Sequence, residues 1–133
     1  TQRVDDARLV VGHSVDALLL SSHGGRQIDR AVPPMTILED VVQAVGGRAE
    51  VHVDTSIMRG SGIVAALAKG ANFAWVRRVY MYGLMAGGED GVTRAIEILR
   101  SQMARTMKLL GATSISELEA SHVSLLPNSI YRS

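Results

Sequence analysis

The chain contains no cysteine, so neither a disulfide framework nor a thiolate metal site can be built from it. Long apolar runs are missing too: stretches such as Ala17 to Leu20 fall far short of the roughly 20 residues that a membrane-spanning helix needs. No block of like charges occurs, and 14 Lys and Arg stand against 13 Asp and Glu. That near balance offers no basic tract to a nucleic acid, which is not expected as a partner. The start has no charged segment followed by an apolar signal core. A cytoplasmic location is therefore the default expectation, with peripheral attachment to a membrane as its variant. Chemical parts are absent as well. Without a Cys/His cluster, paired catalytic carboxylates, a Walker loop or a serine nucleophile elbow, metal-assisted, glycosidic, nucleotide-hydrolysing and serine-hydrolase chemistry all lack their components.

What remains is a 133-residue chain, 47% hydrophobic and 20% charged, for which a single soluble domain over 1–133 is expected. Its opening, Thr1-Gln2-Arg3-Val4-Asp5-Asp6, has no initiator Met and reads as the interior of a longer sequence. A fragment is expected.

Val4 to Val11 places acids in a first helical turn, with Gly12 where a helix can close. Asp16 to Ser21 holds Ala17-Leu18-Leu19-Leu20 without polar alternation, which predicts a parallel strand buried on both faces. Ser22 to Gln27 is a polar, glycine-rich loop. Pro33-Pro34 closes it before a helix over Thr36 to Val45, where Thr36 can cap and Glu39 stands three residues on. The pattern repeats with Glu50 to Val53 as a strand, Asp54 to Arg59 as a loop, and Gly60 to Lys69 as a helix ended by Gly70. Asn72 to Val76 is the third strand. Helix then runs from Val79 to Ala86 and resumes from Glu89 to Leu110, where Val92, Ile96, Ile98, Leu99, Met103, Met107 and Leu110 approximate one buried face, the methionines serving as core filler.

Three strands, each followed by a helix, indicate parallel βα units. A barrel segment and an open flavodoxin-like sheet fit this pattern equally well. In either architecture ligands gather at the C-terminal ends of the strands, so the loops beginning at Ser21, Asp54 and Arg77 should share one face. In the first loop, His23 and Arg26 flank Gly24-Gly25. A guanidinium holds a carboxylate through two parallel charge-assisted hydrogen bonds, and an imidazole can accept a proton at neutral pH. The pair reads as a clamp and a base for an acid substrate, or as two residues of a surface loop facing water. Arg77-Arg78, directly after an apolar strand, suits a bound phosphate or is a solvated pair. Asp54 either positions a ligand hydroxyl or caps a turn. His13 and His52 show no partner and receive no role.

Ser21-Ser22-His23-Gly24-Gly25-Arg26-Gln27 strongly resembles the active-site signature Ser-Asn-His-Gly-Gly-Arg-Gln of FMN-dependent α-hydroxy-acid dehydrogenases and oxidases. The similarity continues through Asp54 to Gly60, Arg78 to Leu84, Ala86-Gly87-Gly88-Glu89, Arg105 to Gly111 and Ser121-His122-Val123, and so covers essentially the whole chain. Asp54-Thr55, Ile57-Met58 and Tyr82 to Gly88 further resemble a quinone-linked L-lactate dehydrogenase branch. The resemblance implies an α/β fold in which this chain is the C-terminal three βα units of a TIM (β/α)8 barrel of about 250 residues, incomplete here. It implies FMN as cofactor and a small α-hydroxy acid, L-lactate first, as substrate. It also implies an electron acceptor that is a quinone, a cytochrome or oxygen. By the same resemblance His23 is the catalytic base and Arg26 the substrate-carboxylate clamp, while Asp54, Thr55, Ser56, Met58, Arg59, Arg77 and Arg78 line the cofactor, Arg78 holding its phosphate.

Four positions depart from that pattern: Ser22 replaces Asn, Ser56 replaces Gly, Met58 replaces Arg, and Arg77 replaces the Gly before the phosphate-binding Arg. The family's Lys near the flavin N1 belongs to a strand preceding Thr1, and earlier strands supply more of the site. Alone, the chain is expected to be inactive. Its partner is then the N-terminal barrel half or further copies of itself. The alternative is a degenerate, non-catalytic remnant that acts only as a folded or oligomerising module.

Overall fold

The computed structural model describes residues 1–124, so the last nine residues of the expected domain, 125–133, lie outside the described residues. Helix α1 spans Val4–Val11, and Asp5 and Asp6 sit in its first turn, where the helix dipole favours negative charge. Gly12 ends it in a right-handed conformation (φ −62°). Strand β1 is Ala17–Leu20, α2 is Pro34–Val45, β2 is Glu50–Val53, α3 is Gly60–Ala68 and β3 is Phe73–Ala74. The segment Arg78–Leu110, α4, is helical on both sides of an interruption at Gly87 and Gly88.

The capping expected for α2 is corrected. The helix begins at Pro34, with Pro33 as its N-cap, because proline's fixed φ and missing N–H suit a first helical position. The Thr36 hydroxyl donates back to the Pro33 carbonyl at 2.7 Å. Glu39, free of any capping duty, accepts from the buried Lys69 ammonium at 2.5 Å and so ties α2 to the end of α3.

The three strands are parallel in the order β1-β2-β3. Leu18, Leu20, Val51 and Val53 point to the helices and pack with Ala7, Leu38, Val41 and Val45 in one core. The expectation of burial on both faces fails at Leu19, which is 41% exposed. The register sets Leu19 beside His52 and His52 beside Phe73, and Phe73 and Trp75 are each about half exposed. Among the described residues, only one face of the sheet therefore carries helices. That one-sided cover follows from right-handed crossovers between strands that neighbour each other in sequence order, and the sheet is parallel α/β.

The long helix also differs in detail. Ala95 and Leu99 are its buried residues, while Ile96 and Ile98 face outward. The inward line runs through Val92, Ala95, Leu99 and Met103, at intervals of three and four residues. The break at Gly87 and Gly88, the latter left-handed at φ 57°, turns the chain back so that Gly83 meets Gly91. A Cβ on either glycine would overlap the other's carbonyl.

Candidate functional site

Each strand delivers its following loop to the same end of the sheet. The ladder closes there with the Asp54 N–H donating to the Leu20 carbonyl at 3.1 Å and the Trp75 N–H to the Val53 carbonyl at 2.8 Å. Beyond that line lies a cavity of about 280 Å³, with His23, Arg26, Asp54, Thr55, Ser56, Met58, Arg77 and Arg78 on its wall. These are eight of the nine residues singled out from the sequence. The ninth, Arg59, does not line it and is the N-cap of α3.

The first loop is built tightly. Ser21 and Ser22 are buried. The His23 N–H donates to Ser21 Oγ at 3.1 Å, and His23 opens a single 3-10 turn, His23–Gly25. His23 is left-handed at φ 53° and is followed by Gly24 at φ 68° and Gly25 at φ 77°. Two glycines suit such a run because they have no Cβ to clash. The site at which either would carry a Cβ is open space, so a flat ligand can approach the backbone there. Ser22, the residue in place of the signature Asn, keeps a hydrogen bond: its Oγ donates to Thr55 Oγ1 at 3.2 Å.

Arg77, Arg78 and Arg26 bring three guanidiniums to a wall whose one carboxylate is Asp54. Arg77 is also the N-cap of α4 and makes no side-chain cap, so the uncapped N–H groups of that helix start beside two arginines. Guanidiniums together with a helix N-terminus form a donor set for a phosphate dianion. The chemistry of the residues therefore fits the phosphate of FMN, and the open backbone at Gly24 and Gly25 fits a planar ring.

Sequence reasoning missed Trp75 and Met81, which supply apolar wall to the same cavity. The signals were present, since Trp75 stands two residues after Phe73 on the exposed face and Met81 one helical turn after Arg78. His52, given no role, has partners: its Nε2 lies 2.8 Å from Glu50 Oε2, and the Trp75 indole N–H donates to its Nδ1 at 3.4 Å. A larger hollow of about 430 Å³ lies at the opposite ends of the strands, beside Asp16, Glu50 and Asn72. Polar groups there already serve the fold, with Asn72 Oδ1 accepting the Val51 N–H at 2.8 Å. The arginine-lined cavity is therefore the candidate site.

Among the described residues, no helix is long and apolar enough to cross a membrane.

Comparison with known proteins agrees with this geometry. The family model described as FMN-dependent dehydrogenase matches residues 1–125. A Mycobacterium tuberculosis protein provisionally named as an L-lactate dehydrogenase is 54% identical over 125 residues, which are 94% of this chain and 30% of that protein. The L-lactate oxidase of a Nostoc species is 37% identical over 92% of this chain and 34% of its own length. Among solved structures, (S)-mandelate dehydrogenase, described as a monotopic membrane protein, superposes with a TM-score of 0.88 at 35% identity, covering 93% of this chain and 33% of that one. The chain thus spans about a third of the length of these relatives. With the family model matched over nearly the whole chain and the signature residues gathered at one cavity, the chain belongs to the FMN-dependent dehydrogenase family.

Proposed function

We propose that this chain forms the C-terminal three βα units of a TIM barrel that oxidises a small L-α-hydroxy acid, with L-lactate the first candidate, to the 2-oxo acid. The observation that carries the reading is the meeting at one cavity of His23 and Arg26, from the loop after β1, with Arg78, at the start of α4 after β3. FMN, when bound, would supply the acceptor for the α-hydrogen and its electron pair. Arg78 and Arg77 would hold its phosphate beside the start of α4, and the 54–58 loop would line it. Arg26 pairs with the substrate carboxylate through two charge-assisted hydrogen bonds, which fixes the α-carbon relative to His23. The unprotonated imidazole nitrogen of His23 accepts the α-hydroxyl proton as the electrons leave the substrate.

Lactate is supported by the names of the mycobacterial and Nostoc relatives. Other relatives are named for 2-hydroxy acids in general or for glycolate, which makes these the competing substrates. The electron acceptor is a quinone, a cytochrome or oxygen, reached either in the cytoplasm or at a membrane surface. The rest of the barrel, with the Lys expected on the preceding strand, must come from sequence outside this chain, and the chain alone is inactive.

A second reading is favoured by the half-exposed Phe73 and Trp75, on the same bare sheet face as Leu19. It makes the chain a non-catalytic module that folds or oligomerises.

The test is FMN binding by the purified chain, followed through flavin fluorescence, with Arg78→Ala alongside. Saturable binding that weakens by about tenfold or more in the variant, as the loss of a charge-assisted contact worth roughly 1.5–3 kcal/mol requires, is the expected result. No binding by the unaltered chain overturns the cofactor site and leaves the second reading.

A further inference from the structure

We infer that Thr55 is a positioning residue for His23 and contacts no ligand through its hydroxyl. Three observations carry this. First, Thr55 is left-handed at φ 77°, a conformation that a β-branched residue rarely adopts and that persists only where the surroundings over-determine it. Second, its surroundings do so through one atom. Thr55 Oγ1 accepts the Ser22 N–H at 3.2 Å and the Ser22 hydroxyl at 3.2 Å, and it donates to Asp54 Oδ1 at 2.7 Å. A threonine hydroxyl has one proton and two lone pairs, so all its capacity is used within the protein and none is left for a cofactor or substrate. Third, the two residues so joined are the immediate neighbours of chemistry. Ser22 is buried and precedes His23, whose own N–H is held by Ser21, while Asp54 lines the cavity with His23.

The β1 and β2 ladder gives out at Asp54, and Thr55 continues the connection by side chain. It fixes the first loop to the second across 33 positions of sequence. The backbone that leads into His23 is therefore tied to Asp54 through Thr55, which lines the same cavity. The mechanistic consequence rests on the reading of His23 as the proton acceptor, but the clasp itself does not.

The experiment compares Thr55→Ser, Thr55→Val and Thr55→Gly in the full chain by amide hydrogen exchange and by NMR of the His23 ring. Thr55→Ser keeps the hydroxyl and should retain the unaltered exchange rate at the Ser22 amide and the unaltered His23 ring signals. Thr55→Val keeps the shape and loses the hydroxyl, so Ser22 exchange should accelerate about tenfold, the equivalent of one lost hydrogen bond, and the His23 signals should move. The Val53 amide, in the core of the sheet, reports that each variant is folded. If Thr55→Val does not fold, Thr55→Gly, which carries no Cβ in the left-handed position, decides through the same readouts. Unchanged Ser22 exchange and His23 signals without the hydroxyl, or a Thr55→Ser variant as loose as Thr55→Val, would overturn the inference. FMN titration of the same samples separates the two questions. Failure of the unaltered chain to bind FMN refutes the cofactor site, whereas the exchange arms still judge Thr55.

Discussion

Gly60 donates its backbone N–H to Gln102 Oε1 across 2.8 Å, joining residues 42 positions apart. The start of α3 thereby receives its cap from α4 and presses directly on that helix. A Cβ built on Gly60 would stand 2.7 Å from Gln102 Cβ and closer still to the backbone at Met103 and Leu99. Two substitutions follow from this contact, and their order is fixed by the physics. Gly60→Ala must push two backbones apart and should cost about 3 kcal/mol, the upper end of ordinary overpacking. Gln102→Ala removes one cap to a helical N–H and should cost about 1 kcal/mol. Urea denaturation followed by the emission of Trp75, the chain's one tryptophan, measures both. The reverse order would show that the close approach is relieved by a shift of α4.

Ser56 is left-handed at φ 62°, on the wall of the site, where the family pattern has Gly. A side chain in that conformation costs roughly 1–2 kcal/mol, against about 0.5–1 kcal/mol gained from a less flexible unfolded chain. Strain outweighs that gain. Ser56→Gly should therefore stabilise the fold by about 0.5–1 kcal/mol, the difference between those two effects, and FMN titration should show binding at least as tight as before. A destabilised variant would mean that Ser56 contributes more in the folded state than its strained backbone costs.

Much of this architecture was legible because local signals and global packing agree. Helix α1 and strand β2 fall where acid placement and the repeating βα pattern put them. The Gly87-Gly88 pair marks the break in α4. The site was legible for a different reason, since His23 to Gln27 is a dense motif and each βα unit delivers its loop to one end of the sheet. What could not be read depends on contacts distant in sequence. Glu39 reads locally as a capping partner of Thr36, and only the arrival of Lys69 beside α2 gives it another one. Leu19 belongs to an unbroken apolar run, and nothing in that run says that helices will cover one face alone. Thr55 resembles a ligand contact until the three partners of its hydroxyl are known.

Glu117 accepts the Thr113 N–H and the Thr113 hydroxyl, each at 2.8 Å. These bonds, the backbone one foremost, hold its carboxyl below the ordinary glutamate value, outweighing the small opposing effect of burial. Because the folded value is depressed, the contribution to stability is complete above the ordinary glutamate range and is lost as the pH falls through the lower folded value. Glu117→Gln should therefore lower the urea midpoint at pH 7, and the difference should shrink as the pH falls through the lowered folded value. A gap between the two proteins that persists in acid would assign the effect to side-chain shape.

Among the described residues the sheet has three parallel strands, and that number carries an arithmetic of closure. Two copies of the chain bring six strands and three copies bring nine, so no whole number of copies supplies the eight of a (β/α)8 wall. Self-association edge to edge would give a ring of another size, or a stack that never closes and grows as a filament. Completion in the manner of an eight-stranded enzyme calls for an unequal complement of five strands, and the stoichiometry of a reconstituted particle is then one to one.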